Sequence, residues 1–278
     1  MSDSSGVSFG QTRRRGYCQT GTRGNGPRRF AELARALVAR EFKGMYRRSI
    51  LGPAWAFLQP LAYMVVFTFL RGVLDIPSEG VPYALFTFSA LVPWTFFSNA
   101  ISRCAPSVAA NGSILKKISV PREVFPVAAV ITSMIDLLIA SVILAGMMLW
   151  FQTPVGWTLL WIPLLVLMTV FLALGMGLGL AAVGTYKHDV IYGIPFLMQF
   201  WLLASPVMYP ASEVPEQWRS FFDLNPMAGI IEGFRNVLIR GTAPDTEMLL
   251  VSLTVTLLVW GLAWPLFRSV SQYFADVL

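Results

Sequence analysis

Charged side chains are scarce in this chain of 278 residues. Asp, Glu, Lys and Arg together make up 13% of it, whereas soluble domains carry about 25% charged residues. Hydrophobic residues make up 55%. This balance disfavours a soluble globular protein and indicates a membrane protein.

The residue types needed for catalysis and for metal or nucleotide binding are also scarce. One histidine, His188, does not supply a metal cluster or a Ser-His-Asp triad. The two cysteines, Cys18 and Cys104, suggest no disulfide framework. The phosphate-binding pattern GxxxxGK[ST] occurs nowhere in the sequence. We therefore expect no catalytic residues, no metal and no cofactor in this chain, so that any water-phase chemistry comes from a partner.

What the sequence does contain is a series of long apolar stretches. A helix needs about 20 apolar residues to cross ~30 Å of hydrocarbon. Six stretches reach this length and leave almost no sequence for a soluble domain. They predict an all-α membrane protein with six transmembrane helices, at residues 54–74, 83–101, 124–151, 159–183, 190–209 and 248–267.

Basic residues collect on one side of these stretches. They precede the first stretch, fill the loop after the second, and follow the fourth and sixth as Lys187 and Arg268. The opposite side keeps only Arg71, Arg219, Arg235 and Arg240. By the positive-inside rule this distribution places both termini in the cytoplasm. The net charge of +6 is thus explained by topology and does not indicate nucleic-acid binding.

The N-terminal region divides into two parts. Residues 1–27 are rich in Gly, Ser, Thr and Arg and are predicted to form a disordered cytoplasmic tail. Residues 28–50 place apolar residues at helical spacing, which predicts a basic amphipathic helix in the membrane interface. Its arginines suit phosphate oxygens, and the candidates are Arg35, Arg40, Arg47 and Arg48. They either anchor the helix among lipid headgroups or contact an anionic, lipid-linked substrate.

Two features inside the predicted spans are unusual. Asp136 lies in the third stretch, where an acid is costly and is a functional candidate. The interiors of the predicted spans offer no basic partner for it, which leaves a hydrogen-bonded packing residue as the alternative to a functional role. Gly175 and Gly179 in the fourth stretch form a GxxxG pair, which predicts close helix packing.

Two connections are more than simple loops. The cytoplasmic loop 102–123 contains a short amphipathic patch at Ile114 to Lys117, which predicts either a docking helix for a soluble partner or a solvated basic loop. The opposite connection, 210–247, is too apolar for a free loop and too charged for a span. We expect it to form two short re-entrant or interfacial helices, broken at Asn225-Pro226.

Six segments of the chain follow one another in a distinctive order. They are SILGPAWAFLQP (49–60), LVPWTFFSNAISR (91–103), NGSILKKISVPREVFPVAAV (111–130), YKHDV (186–190), SPVMYP (205–210) and LNPMAGIIEGFR (224–235). In this order they resemble the membrane subunit of ABC-2 type polysaccharide exporters, with greatest likeness to O-antigen export permeases and with teichoic acid and capsule permeases as relatives. The resemblance runs from about residue 30 to residue 267, and the histidine and lysine of YKHDV depart from the family's usual arginine-rich turn.

The resemblance implies a non-enzymatic transport subunit whose six-helix domain covers residues 51–278. Two copies would pair around a channel in the bacterial inner membrane, and each would bind an ABC ATPase subunit that carries ATP and Mg²⁺. The substrate would be a polysaccharide linked to a polyprenyl diphosphate. The main alternative is an ABC-2 permease for a small lipid or drug. An integral membrane enzyme acting on a polyprenyl lipid is disfavoured. Such an enzyme needs clustered Asp, Glu or His side chains at the membrane face, and the adjacent His188 and Asp189 are the only pair of this kind.

The resemblance also implies roles for particular residues. The helix that couples to the ATPase comprises Asn111, Gly112, Ser113, Ile114, Leu115, Lys116 and Lys117. The extracytoplasmic gate includes Asn225, Pro226, Glu232 and Arg235. Aromatic rings stack on sugar faces without fixing one position, and the candidates to line the channel are Tyr63, Phe67, Trp94, Phe97, Phe200, Trp201 and Tyr209. The alternative interpretation of these rings is interface belts or ordinary packing.

Overall fold

The computed structural model describes residues 27–46, 54–74, 76–77, 80–117, 120–153 and 156–274. Regular structure in these residues is helical throughout, with short 3₁₀ and π segments between some helices. Most of the predicted 1–27 tail, and Arg47 and Arg48, lie outside the described residues. The helices are α1 (Pro27–Tyr46), α2 (Trp55–Leu74), α3 (Tyr83–Ser107), α4 (Gly112–Leu115), α5 (Val124–Trp150), α6 (Ile162–Tyr186), α7 (His188–Leu203), α8 (Glu216–Asp223), α9 (Pro226–Arg235) and α10 (Thr246–Ser271).

Within the described residues, five helices are long and apolar enough to cross a membrane. They coincide with five of the six predicted stretches, so this part of the prediction is confirmed. Their ends extend beyond the apolar runs mainly at the C-terminal end of α3 and at both ends of α10. The five are Trp55–Leu74, Tyr83–Ser107, Val124–Trp150, Trp157–Tyr186 and Thr246–Ser271.

The predicted stretch 190–209 differs from the others. Its helix, α7, has 16 residues and ends at Leu203, so at 1.5 Å per residue it rises only about 24 Å. The chain then turns through 204–207. Here the carbonyls of Val207 and Tyr209 accept hydrogen bonds from Arg235 instead of from a continuing helix. The helix therefore does not continue to Tyr209.

Helix α3 is the centre of the bundle. Most of its residues are buried, including Phe86, Phe88 and Phe96, and it packs against α2, α5, α6, α7 and α9. In contrast, the buried residues of α2 are only Pro60 and Phe67 among those described. One face of α2 packs on α3 and α5, and the opposite face, with Val66, Phe69 and Val73, is exposed.

Helices α6 and α10 approach closely at glycine. A Cβ atom at Gly175 would lie 2.8 Å from Cδ1 of Trp260, and one at Gly179 would lie 3.5 Å from Cβ of Ala263. Only a residue without a side chain fits Gly175 at this crossing. The close packing predicted from the GxxxG pair is confirmed, with α10 as the partner.

Helix α1 is amphipathic and lies against the N-terminal end of α5. Ala34 and Leu37 are buried in a cluster with Val124 and Phe125 of α5, while its arginines at 28, 29 and 35 are exposed. Burial of this apolar stripe explains why α1 packs on α5.

Candidate functional site

A polar groove lies between three apolar helices. It has a volume of about 230 Å³ and is formed by α2, α3 and α7. Polar groups inside membrane-spanning segments are costly and commonly mark a functional pathway. The polar side chains that line it are Gln59, Tyr63, Thr95, Ser98, Asn99, Ser102 and Gln199.

The contacts of these side chains leave hydrogen-bonding capacity at the groove. The Nε2 atom of Gln199 lies 3.3 Å from the Tyr63 hydroxyl and donates to it. Thr95 donates to the Leu91 carbonyl at 2.7 Å, as threonine commonly does in membrane helices. Of the residues that line this groove, the sequence prediction of a channel includes only Tyr63 and Trp94. The missed signal is a polar residue recurring on one face of an apolar run, such as Thr95, Asn99 and Ser102 on α3.

Three of the predicted channel aromatics meet beside the groove. The ring centroids of Trp94 and Phe97 are 5.9 Å apart, those of Phe97 and Trp201 are 5.2 Å apart, and those of Trp94 and Trp201 are 6.3 Å apart. The two contacts with Trp201 are edge-to-face, an arrangement that aromatic pairs prefer. Phe97 has no exposed surface, so it supports the two tryptophans and does not itself line the groove.

The other predicted aromatics separate. Tyr63 lines the groove and stacks at 5.9 Å on Phe67, which is buried. Phe200 is 56% exposed and pairs with Phe196 at 4.6 Å. The structure therefore does not bring Phe200 together with Trp201 and Tyr209, because successive helical residues 200 and 201 point about 100° apart.

An aromatic cleft lies beyond the groove, between the end of α7 and α8. Its volume is about 760 Å³. Trp218 and Phe221 are exposed, and Glu213 and Asn225 add polar groups to the rim. Because Trp201 lines the cleft and contacts Trp94 of the groove, the two sites adjoin. The aromatic lining is Trp201, Tyr209, Trp218, Phe221 and Phe222.

Arg235 holds the turn that follows α7. The side chain is 1% exposed, and its guanidinium donates to Val207 O at 2.8 Å, to Tyr209 O at 3.2 Å and to Glu232 Oε1 at 3.1 Å. It also stacks over the Phe86 ring, 3.7 Å from the centroid. Irregular backbone at membrane depth must find its hydrogen bonds within the protein. Arg235 supplies them for this turn.

Asn225 and Pro226 join the aromatic cluster to α9. The Oδ1 atom of Asn225 accepts hydrogen bonds from Met227 N at 3.1 Å and from Trp201 Nε1 at 3.0 Å. Asn225 is thus the N-cap of α9, with Pro226 in its first turn. Helix α9 in turn lies tightly on α10, since a Cβ at Gly229 would come within 2.6 Å of the Met248 carbonyl oxygen.

Asp136 has a basic partner after all. Arg103 donates to Asp136 Oδ2 at 2.6 Å and to Ser133 Oγ at 3.0 Å. The expectation that no basic residue pairs with Asp136 is wrong, because α3 continues to Ser107 and carries Arg103 alongside α5. The pair neutralises an acid that is otherwise expensive to bury.

The predicted coupling residues form a short surface element. Asn111 and Gly112 are buried, Ile114 and Leu115 are half-buried against the α1–α5 cluster, and Ser113, Lys116 and Lys117 are exposed. The helix itself, α4, has only four residues. Arg40 of α1 donates a hydrogen bond to Asn111 Oδ1. Arg35 and Arg40 are both exposed, and Arg40 uses its guanidinium for this contact with Asn111.

Among the described residues, no group of three or more His, Cys, Asp and Glu side chains is placed to hold a metal ion. The groups with hydrogen-bonding capacity lie instead in the groove and on the cleft rim. Amide and hydroxyl groups beside aromatic rings can bind neutral hydroxyl-bearing molecules.

Comparison with known proteins identifies the family. A family model described as ABC-2 type transporter matches residues 32–239. An O-antigen export system permease protein RfbA of Myxococcus xanthus is 29% identical over 251 residues, 89% of this chain and 95% of that protein. A protein of the same name from Klebsiella pneumoniae is 24% identical over 254 residues, with the same shares covered. The polysialic acid transport protein KpsM of Escherichia coli is 25% identical over 245 residues, 82% of this chain and 90% of that protein. Because the family match spans most of the chain, the protein belongs to the ABC-2 type transporter family.

Proposed function

We propose that this chain is the membrane subunit of an ATP-driven exporter that moves a polysaccharide out of the cytoplasm. The observation that carries the proposal is the polar groove between α2, α3 and α7, which adjoins the aromatic cleft through Trp94 and Trp201. The names of the relatives, which describe O-antigen export and polysialic acid transport, support it.

The chemistry of the groove suits a sugar chain. Sugar hydroxyls exchange hydrogen bonds with amides such as Asn99 and Gln199 without requiring a charge. Sugar C–H faces pack against the half-buried rings of Tyr63 in the groove and Trp201 in the adjoining cleft, which the buried Trp94 supports. Neither contact fixes one position along a polymer, so a chain can slide through. A small cationic or anionic solute would lack a counter-charge among the groove residues.

The transporter is proposed to contain two copies of this chain and two ABC ATPase subunits. The apolar face of α2, with exposed Phe69 and Val73, and that of α7, with exposed Phe196, flank the groove of a single protomer. A second copy would close the groove into a channel. ATP and Mg²⁺ belong to the ATPase subunits, since the sequence has no phosphate-binding loop, and the chain carries no cofactor of its own.

Six crossings with both termini in the cytoplasm fit the charge distribution. In this arrangement α7 is the fifth crossing, α8 and α9 form the extracytoplasmic gate, and α1 lies in the cytoplasmic interface of a bacterial inner membrane. Exposed arginines on α1 then face lipid phosphates or the diphosphate of a polyprenyl-linked substrate. Among the predicted arginines Arg35 is the best placed, since Arg40 contacts Asn111.

Deletion of the gene tests the function. We expect lipid-linked polysaccharide to accumulate on the cytoplasmic face of the membrane, and export to return only with this chain together with an active ATPase. Normal surface polysaccharide in the deletion strain, accompanied by a change in lipid or drug sensitivity, would instead identify a permease for a small substrate.

Replacing Lys116 and Lys117 with glutamate is expected to uncouple transport from ATP hydrolysis. Both side chains are exposed at the end of α4, so their removal costs little folding stability, while the reversed charge repels an acidic docking site. Export and ATPase activity are measured in membranes that contain equal amounts of the subunit. Export at the wild-type level would remove the docking assignment.

Replacing Asn99 and Gln199 together with leucine is expected to slow polysaccharide export about five- to thirtyfold, the loss from one to two hydrogen bonds of roughly 1 kcal/mol each. Leucine preserves volume and is tolerated in a membrane helix. The matched control is Leu197→Ala, which alters an exposed residue of α7, the helix that carries Gln199. Unchanged export in the double variant would show that the polymer does not pass the groove.

A further inference from the structure

Two consecutive residues of α1 reach two different parts of the protein. The Arg40 guanidinium donates to Asn111 Oδ1 in the predicted coupling segment, 111–117. The Glu41 carboxyl lies 3.3 Å from Thr132 Oγ1 on α5. Because neighbouring helical residues point about 100° apart, one helix can hold both contacts at once.

The Asn111 side chain is fixed at both ends. Its Nδ2 donates to the Ser107 carbonyl at 2.7 Å, in the last turn of α3, while its Oδ1 accepts from Arg40. Asn111 is buried, so its amide has little freedom to turn. A displacement of the coupling segment therefore pulls on Arg40, and through it on α1.

Thr132 joins Glu41 to the backbone of α5. Its Oγ1 donates to the Ala128 carbonyl at 2.8 Å and to Glu41 Oε2 at 3.3 Å. Because a hydroxyl has one hydrogen to donate, the two acceptors share it. Burial raises the pKa of the Glu41 carboxyl, although the Thr132 hydrogen bond and the charges of Arg40 and Arg103 oppose the rise.

The same face of α5 carries the intramembrane ion pair. Thr132 and Asp136 are four residues apart and therefore neighbours on that face. Arg103 binds Asp136 and Ser133, and its charge also acts on Glu41. The contact of α1 with α5 thus lies beside the link between α3 and α5.

From these contacts we propose that Arg40 and Glu41 are positioning residues for energy coupling, and that they make α1 a rigid link between the coupling segment and the Arg103–Asp136 pair. This inference rests on the proposed transport function. In each cycle, movement of the coupling segment by the ATPase is passed through Arg40 to α1 and through Glu41 to α5. The groove helices then move with α3.

The experiment uses the complex of this chain with its ATPase, purified and reconstituted in vesicles. The measured quantity is the amount of polysaccharide moved per ATP hydrolysed. Arg40→Gln and Asn111→Ala are each expected to lower this ratio at least about fivefold, the lower end of usual coupling between sites. The double variant is expected to be no worse than either single one, because both remove the same contact.

Two control variants separate coupling from folding. Lys43→Gln removes a charge from an exposed position of the same helix and is expected to leave the ratio unchanged. Glu41→Gln keeps a hydrogen-bonding group for Thr132 and is expected to retain most of the ratio, whereas Glu41→Ala is expected to lower it. An equal loss in Glu41→Gln and Glu41→Ala would remove Glu41 from the link.

Additive losses in the double variant, or an unchanged ratio in Arg40→Gln, would overturn the inference while transport by the wild-type complex still stands. Absence of transport by the wild-type complex would instead overturn the proposed function. A second test replaces the lost contact by a covalent one: thiols introduced as Arg40→Cys and Asn111→Cys in a Cys18→Ser chain are bridged by a short bifunctional reagent. The bridged complex should transport normally if the two sites move together, and loss of transport on bridging would overturn the link.

Discussion

Replacing Arg235 with methionine is expected to destabilise the protein by about 3–5 kcal/mol, the usual result of removing one partner from a buried ion pair. The change removes the buried cation from the Glu232 carboxylate, which keeps Arg240 at 3.3 Å, and it removes the donors to the Val207 and Tyr209 carbonyls. Thermal unfolding of purified protein in detergent measures the loss. A melting temperature equal to that of the wild type would contradict the assigned role.

A double variant separates the two causes of this loss. Glu232→Gln combined with Arg235→Met removes both charges of this pair, but it takes the Glu232 carboxylate away from Arg240 and leaves the two carbonyls without donors. Full recovery would mean that the ion pair dominates, and recovery of only a part is expected, because the turn remains unsatisfied. Arg235→Lys serves as a further comparison, since an ammonium group cannot reach two carbonyls and stack on Phe86 as the planar guanidinium does.

Replacing Arg103 with methionine is expected to cost about 2.5–3.5 kcal/mol, the cost of an unpaired aspartate within the hydrocarbon. Asp136 is buried on α5, and Arg103 supplies a 2.6 Å contact to it. The effect should appear as a lower yield of membrane-inserted protein and a lower melting temperature.

Removal of both charges tests this explanation. Arg103→Met combined with Asp136→Leu is expected to recover most of the lost stability, since well-packed apolar residues often replace a buried ion pair without loss. If the double variant is as unstable as Arg103→Met alone, the loss comes from packing around Arg103 and not from the unpaired acid.

The apolar runs predicted most of the helices because hydrocarbon imposes a single length and a single backbone structure on a span. The sequence also predicts the break at Asn225-Pro226, because proline is common in the first turn of a helix and Asn is a common N-cap. The GxxxG pair predicted a close crossing, although its partner, Trp260 of α10, was not identifiable from local sequence.

The remaining features depend on contacts between residues far apart in the chain. The sequence places the charged Arg103 in the loop 102–123. Its contact with Asp136 explains why α3 continues past it. The end of α7 depends on Arg235, which lies 28 residues after Val207 in sequence. Likewise, the polar residues of α3 and α7 share a groove because of how the helices pack, which periodicity within either helix does not specify.

The shortness of α7 has a consequence for the surrounding lipid. In the proposed six-crossing arrangement, a helix that rises about 24 Å stands in hydrocarbon about 30 Å thick. A bilayer accommodates such a mismatch by thinning locally, at a cost of fractions of a kcal/mol per Å. The thinned lipid would lie beside the groove and the aromatic cleft, where it shortens the apolar path that a lipid-anchored headgroup must cross.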